Sequence, residues 1–357
     1  MLLRNIVSRE ELKKRMEADH RPYTTISFYT YHRLENPAEF RNQLYQDLVS
    51  LEVVGRIYVA EEGINAQIAL PSKRFEAFKE YLYSYDFLNG LRLNVAIEEK
   101  QKSFIKLDVK VRAKIVADGI EDSQFDPSNR GKYMRAAEWN QALQDPNTVV
   151  IDMRNHYESE VGKFEGAVCP DADTFREELQ GVIDEHDHDR DKRILMYCTG
   201  GIRCEKASAW MKYKGFNEVY HLEGGIINYV NQVKQEGLDN RFQGVNFVFD
   251  QRLAERVSDD VISRCHQCGE PADTHINCGN TGCHLLFIQC AACAEKYQRC
   301  CSEVCSQIAA LPEEDQRIIR KGKGPLKRFS KGRFVANPQG FNWEEIQKLL
   351  INSKGLE

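Results

Sequence analysis

The sequence predicts a multidomain protein of mixed α/β and α+β class, with a C-terminal segment held together by metal. Three observations carry this. Short apolar strands alternate with helices over 130–236, the pattern of a parallel sheet covered on both faces. The stretch 23–111 reads strand, helix, strand, strand, helix, strand, strand, which builds a small sheet backed by helices. Nine of the twelve cysteines fall between 265 and 305, including two pairs with two residues between their members, a spacing that lets adjacent thiolates wrap one metal ion.

The chain of 357 residues carries a net charge of -5, so there is no global attraction to nucleic acid and any such binding needs a local patch. Met1-Leu2-Leu3 is followed at once by Arg4, Arg9, Glu10, Glu11, Lys13 and Lys14, without the apolar core of a signal peptide, and no apolar run is long enough to span a bilayer. A cytoplasmic protein with no membrane partner is expected. Its thiols would then be reduced or metal-bound rather than paired. Nothing in the sequence sets an oligomeric state.

In the first domain, 1–117, strands are expected over 23–31, 55–60, 66–70, 91–97 and 106–111, with helices over 37–51 and 72–85. This order resembles the ferredoxin-like or acylphosphatase-like plan, leaving the partner of the last strand open. Glu61-Glu62-Gly63-Ile64-Asn65 reads as a hairpin turn. The alternative is that this loop lines a substrate groove with Arg56 and Tyr58. Tyr23, Phe28, Tyr29 and Tyr31 offer rings on which bases can stack, although aromatic residues in a strand commonly face a core. The acidic, Gly-, Pro- and Ser-rich stretch 118–131 reads as a linker.

The second domain, 132–240, holds the most informative segment, Tyr197-Cys198-Thr199-Gly200-Gly201-Ile202-Arg203-Cys204, between the strand Arg193–Tyr197 and a helix from Glu205. A thiol at a strand-to-helix turn meets the positive end of the helix dipole. Amides from Thr199 to Arg203 curl around it and the Arg203 guanidinium adds positive potential, so the Cys198 thiolate should form well below the free value of about 8.5. Cys198 is therefore the candidate nucleophile, with Thr199, Gly200, Gly201, Ile202 and Arg203 as its anion-binding loop. Cys-nucleophile phosphatases place five residues between cysteine and arginine. Four intervene here, a smaller ring better suited to a sulfane sulfur than to phosphate. Asp152 and Arg154 end the preceding strand as supporting residues, and Cys204 either resolves an oxidised Cys198 or packs in the first helical turn. Asp184-Glu185-His186-Asp187-His188-Asp189-Arg190-Asp191 reads as a solvated loop rather than a metal site.

The third region, 241–310, carries the metal candidates Cys265, Cys268, Cys278, Cys283, Cys290, Cys293, Cys300, Cys301 and Cys305. Simple pairing puts Cys265, Cys268, Cys290 and Cys293 on one structural zinc. Cys278, Cys283, Cys305 and one of Cys300 or Cys301 then hold a second, leaving one cysteine spare. An iron-sulfur cluster is the alternative occupant, and His266, His275 and His284 are alternative ligands. The final region, 311–357, reads as a basic, partly flexible tail: eight cations lie between Arg317 and Arg333 with no acid among them. Lys321, Lys323, Lys327, Arg328, Lys331 and Arg333 are the RNA-binding candidates. There is no Gly-rich dinucleotide fingerprint, so neither flavin nor a nicotinamide cofactor has sequence support.

The central segment resembles a rhodanese domain through Thr148–Arg154, Glu158, Gly162, Gly166-Ala167, the Cys198 loop and Leu222-Glu223-Gly224-Gly225-Ile226, with Lys163 standing where that family often has histidine. The whole chain resembles the bacterial tRNA uridine hydroxylases through Ile151-Asp152-Met153-Arg154-Asn155-His156-Tyr157-Glu158, Tyr197 to Trp210, and Cys283-His284-Leu285-Leu286-Phe287-Ile288-Gln289-Cys290. That resemblance implies tRNA as partner and substrate, molecular oxygen as co-substrate, and conversion of the wobble uridine to 5-hydroxyuridine. From the residues alone, a sulfurtransferase passing persulfide sulfur to tRNA or a carrier, or a non-catalytic tRNA-binding scaffold, stays open.

Overall fold

A computed structural model describes residues 3–98, 102–122, 124–321 and 334–354. The basic candidates Lys323, Lys327, Arg328, Lys331 and Arg333 lie outside the described residues; Lys321 lies within them, at the end of a helix.

The first domain comprises α1 (Arg9–Ala18), β1 (Tyr23–Tyr31), α2 (Pro37–Ser50), β2 (Val54–Ala60), β3 (Gly63–Pro71), α3 (Phe75–Tyr83), β4 (Asn94–Val95) and β5 (Leu107–Val111). Its sheet runs β4-β1-β3-β2-β5. The first four strands pair antiparallel as the ferredoxin-like plan requires, and β5 adds parallel to β2, which answers the open pairing. Strand alternation decides what each face does. Ile26 and Phe28 of β1 join Ile64, Ala66 and Ile68 of β3 and the apolar stripes of α2 and α3 in one core. Ser27, Tyr29 and Tyr31 alternate with them and leave by the opposite, polar face. The hairpin expectation at 61–65 holds, since Ala60 pairs directly with Gly63. Gly63 is required there: at φ +140° a Cβ would lie 2.0 Å from the Thr30 carbonyl oxygen.

The central domain contains β6 (Lys132–Met134), α4 (Ala136–Ala142), β7 (Thr148–Asp152), α5 (His156–Ser159), β8 (Gly162–Phe164), α6 (Phe175–Glu185), β9 (Arg193–Tyr197), α7 (Ile202–Tyr213), β10 (Glu218–Leu222) and α8 (Gly225–Glu236). The order β6-β10-β9-β7 is parallel throughout. Ile194 and Met196 of β9 pack toward α6 and α7, while Leu195 and Tyr197 pack toward α4 and α8, so both faces are covered as read from the alternation. The Cys198 loop leaves the carboxyl end of β9, where ligands of parallel sheets bind.

Residues 118–131 depart from the linker expectation. Ile120 and Phe125 pack on the core beside α7, and Asp118 is buried against Lys206. The 184–191 loop also departs in part: His186 and Asp189 are buried and joined, Nδ1 to Oδ2 at 2.9 Å, and no metal group forms there among the described residues.

Beyond α8 come β11 (Phe242–Phe247), β12 (Ala254–Arg256), β13 (His275–Asn277), β14 (Leu286–Ile288), α9 (Ala291–Lys296), α10 (Glu303–Ala309), α11 (Glu313–Arg320) and α12 (Trp343–Lys354). β11 pairs with β8, so the third region begins as an extension of the central domain. The region read as a tail has packed flanks: Ile319, Phe341 and Ile346 share a core with Cys278, Cys283 and Phe287.

Candidate active site

Cys198 ends β9 and is buried. The turn after it is possible because Gly201, the N-cap of α7, takes φ +99° and directs its N–H at the Cys198 sulfur, 3.1 Å away. The amides of Arg203 and Cys204 and the Cys204 thiol also donate to that sulfur. Burial acts most strongly on the group and raises its pKa. The Cys204 thiol, the Arg203 charge and the helix amides together overcome it and lower the value from 9.0 to about 6. The complementary effect falls on Cys204, which burial and the adjacent Cys198 sulfur push well above its ordinary value, keeping it a thiol.

The loop is clamped from behind by the α8 N-terminus. Ile226 N–H donates to the Cys198 carbonyl at 3.0 Å and Ile227 N–H to that of Thr199 at 3.2 Å. This approach needs Gly225, where a Cβ would lie 2.4 Å from the Cys198 carbonyl oxygen.

Arg203 does not stand free beside the sulfur. Its two terminal nitrogens donate to the carboxylate of Glu158 at 2.6 and 2.9 Å, an ion pair with almost no solvent contact, and the Thr199 hydroxyl donates to the same carboxylate at 3.4 Å. Glu158 is thus a site residue that spacing did not single out. Its signal in the sequence is the rhodanese resemblance, in which Glu158 is one of the matching positions, with no role attached to it there. Asp152 and Arg154 form their own fully buried bidentate pair at 2.6 and 2.8 Å, and Arg154 donates to the Gly162 carbonyl at 2.6 Å. They brace β7 against β8 and do not reach the cavity.

That cavity, of about 440 Å³, has Cys198, Thr199, Gly200, Ile202 and Arg203 on one wall. Opposite stands the polar face of the first domain, with Ser27, Tyr29, Asn65, Gln67 and Asn94, and the 248–255 turn closes the side with Phe249 and Arg252. The volume lies within the usual range for small-ligand sites, about 300–1,000 Å³. Of the four candidate stacking rings, Phe28 is core and Tyr23 bonds Asp19, whereas Tyr29 and Tyr31 face the reactive loop. The Tyr29 hydroxyl donates to Glu205 at 3.1 Å and that of Tyr31 to the Ile202 carbonyl at 3.2 Å. Asn94 donates to the Gly200 carbonyl at 3.3 Å, and Arg56 to that of Phe249 at 2.7 Å. The 61–65 hairpin reaches the site as well: Asn65 lines the cavity and Glu62 binds Lys206 at 2.6 Å.

In the C-terminal region the sulfurs converge in two groups, Cys265/Cys268/Cys290/Cys293 and Cys278/Cys283/Cys301/Cys305, each with its ligand atoms within 4.8 Å of one another. A tetrahedral site with metal–sulfur bonds of about 2.3 Å has edges of about 3.8 Å. The separations Cys268–Cys290 at 3.6 Å, Cys283–Cys301 at 3.6 Å and Cys301–Cys305 at 3.7 Å match that edge. Both groups can hold a metal ion. Cys301 is the member of the adjacent pair that joins the second group. Cys300, a metal candidate by spacing, stays outside the group; its sulfur contacts Cys278 and donates to the Gln298 carbonyl at 3.6 Å. None of the candidate histidines joins either group, and His266 instead bonds Glu160 of the central domain at 2.8 Å.

Three family profiles match in succession: a UPF0176 acylphosphatase-like domain over 23–115, a rhodanese-like domain over 135–232 and a rhodanese C-terminal region over 243–306. A relative from Enterobacter sp., named tRNA uridine(34) hydroxylase, is 55% identical over 93% of this chain and 96% of its own. The chain belongs to the tRNA uridine(34) hydroxylase family. Proteins of the same name from Photorhabdus laumondii, 55% identical over 98% of this chain and 99% of theirs, and from Yersinia enterocolitica, 54% identical over 93% and 95%, extend the match across all three regions. No helix among the described residues is long and apolar enough to cross a membrane.

Proposed function

We propose that this member of the family hydroxylates uridine 34 of tRNA at ring carbon 5, with dioxygen as co-substrate and Cys198 as the nucleophile. The observation that carries this is a thiolate-favouring cysteine in the wall of a base-sized cavity, roofed by a polar sheet face from another domain. An anticodon-loop base is already outside a duplex, so turning it into such a pocket costs only unstacking, about a few kcal/mol. Carbon 6 of uracil is electrophilic. Addition of the Cys198 sulfur there makes carbon 5 nucleophilic toward oxygen, and loss of the carbon-5 proton with the sulfur restores the ring. Arg203, held by Glu158, keeps the sulfur anionic between turnovers.

The two four-cysteine groups take zinc in this account. All eight positions are thiolates, so each site is closed, and its role is to fold the region that presents Phe249 and Arg252 to the cavity. Lys321 and the basic positions between 323 and 333 serve the tRNA backbone. A reducing cytoplasm suits twelve cysteines that are all unpaired.

The test is nucleoside mass spectrometry of wobble-uridine tRNA incubated with the protein under labelled oxygen gas. Labelled 5-hydroxyuridine with the wild type and none with Cys198→Ser is expected. Sulfur-bearing uridine, or undiminished product from the variant, would overturn the proposal.

A further inference from the structure

Placing one oxygen atom of dioxygen on uridine and releasing the other as water consumes two electrons and two protons. Zinc is redox-inert and cannot supply them. Among the described residues, two buried cysteines share the core beside the cavity. Cys198 lies in the cavity wall, and Cys204, fully buried in the first turn of α7, sits behind it in the same cluster and acts on the Cys198 sulfur. The partners are unlike, since the front sulfur is favoured as thiolate and the rear one is held as thiol. This is the arrangement of an attacking and a resolving cysteine.

We propose that Cys198 and Cys204 are the reductant of the hydroxylation, passing together from two thiols to one disulfide in each turnover. The inference rests on the hydroxylase proposal above. Its chemistry balances. Carbon 5 of the Cys198 adduct takes up dioxygen, and expulsion of the Cys198 thiolate from carbon 6 with loss of the carbon-5 proton leaves a 5-hydroperoxyuracil. The freed thiolate attacks the distal oxygen, the O–O bond breaks, and a proton completes 5-hydroxyuridine while Cys198 becomes a sulfenic acid. The Cys204 thiol attacks that sulfur, forming the disulfide and releasing water. The sum is uridine, dioxygen and two thiols going to 5-hydroxyuridine, water and a disulfide. A dithiol reductant from solution then resets the pair.

The experiment is a turnover count on the full-length, metal-loaded, pre-reduced protein with excess tRNA and oxygen and no added reductant. Product is expected to stop at one per chain, with a Cys198–Cys204 bridge found in equal amount by alkylation and peptide mass mapping. Added dithiothreitol should restart turnover. In Cys204→Ser no bridge forms, and a sulfenic acid at Cys198 becomes trappable by a 1,3-diketone probe. The wild-type count stands even if that variant does not fold. Many products per chain without reductant, with both thiols retained, would overturn this inference and leave the hydroxylase proposal intact. Absence of 5-hydroxyuridine even with dithiothreitol present would overturn both.

Discussion

At the Cys198 sulfur, burial opposes the anion and the Gly201, Arg203 and Cys204 donors favour it, and the donors prevail. Reactivity should follow that balance with pH. Because the pKa lies below that of a free thiol, the rate of iodoacetamide labelling at Cys198, read by peptide mass spectrometry, should rise with pH and level off above about 6. A midpoint near 8.5, the usual free value, would show that the donors do not act. Glu158 carries a different load. Glu158→Gln leaves the Arg203 charge buried without its carboxylate, and stability in urea should fall by about 3–5 kcal/mol, the cost of breaking a buried pair from one side. Cys198 stood out in the sequence as the candidate nucleophile because a cysteine, two glycines and an arginine between strand and helix have few other uses. Glu158 was not, because nothing in spacing says that a carboxylate one strand away will meet that arginine.

The element that joins sequence to site is α7. It has no polar side to give to solvent: residues from Arg203 to Met211 are buried, since the helix lies between the parallel sheet and the first domain. Each of its charged groups there finds a partner: Glu205 takes Tyr29, Tyr133 and Arg130, and Lys206 takes Glu62 and Asp118. Nothing in the sequence tells which partners bury Glu205 and Lys206, so the contact of Lys206 with Asp118 was hidden, and 118–131 read as a linker from its composition alone. The parallel sheet was legible because short continuous apolar runs alternate with helices there, as strands buried on both faces do, whereas a charged residue takes its burial from partners remote in sequence. The clamp from α8 has its own consequence. Gly225→Ala would drive a Cβ into the Cys198 and Thr199 carbonyls and force φ +67° on alanine. The expected result is at least a tenfold loss of Cys198 labelling rate together with a lower melting temperature, measured by calorimetry.

Over the whole molecule the cavity exists only where three regions meet: the sheet of the first domain, the loop of the second and the 248–255 turn of the third. The metal groups bear on that assembly, because Cys265 and Cys268 flank the His266 that bonds Glu160 of the central domain. A strong chelator should release two zinc ions per chain, one from each four-cysteine group, and expose the region beyond residue 260 to limited proteolysis. Release of iron, or of no metal, would contradict the zinc assignment. The pairing of cysteines within each group was only partly legible, since Cys300 and Cys301 differ by one position and only the fold turns one sulfur inward. The central claim is that the Cys198 sulfur bonds to carbon 6 of uridine 34. It is tested most directly by incubating the protein in oxygen with tRNA carrying 5-fluorouridine at position 34, where fluorine in place of the carbon-5 proton blocks release of the sulfur once oxygen has added, then digesting and mapping the covalent product. A nucleotide adduct on the Cys198 peptide, lost in Cys198→Ser, is the predicted result; an adduct on another residue, or none while that variant still makes 5-hydroxyuridine, would contradict it.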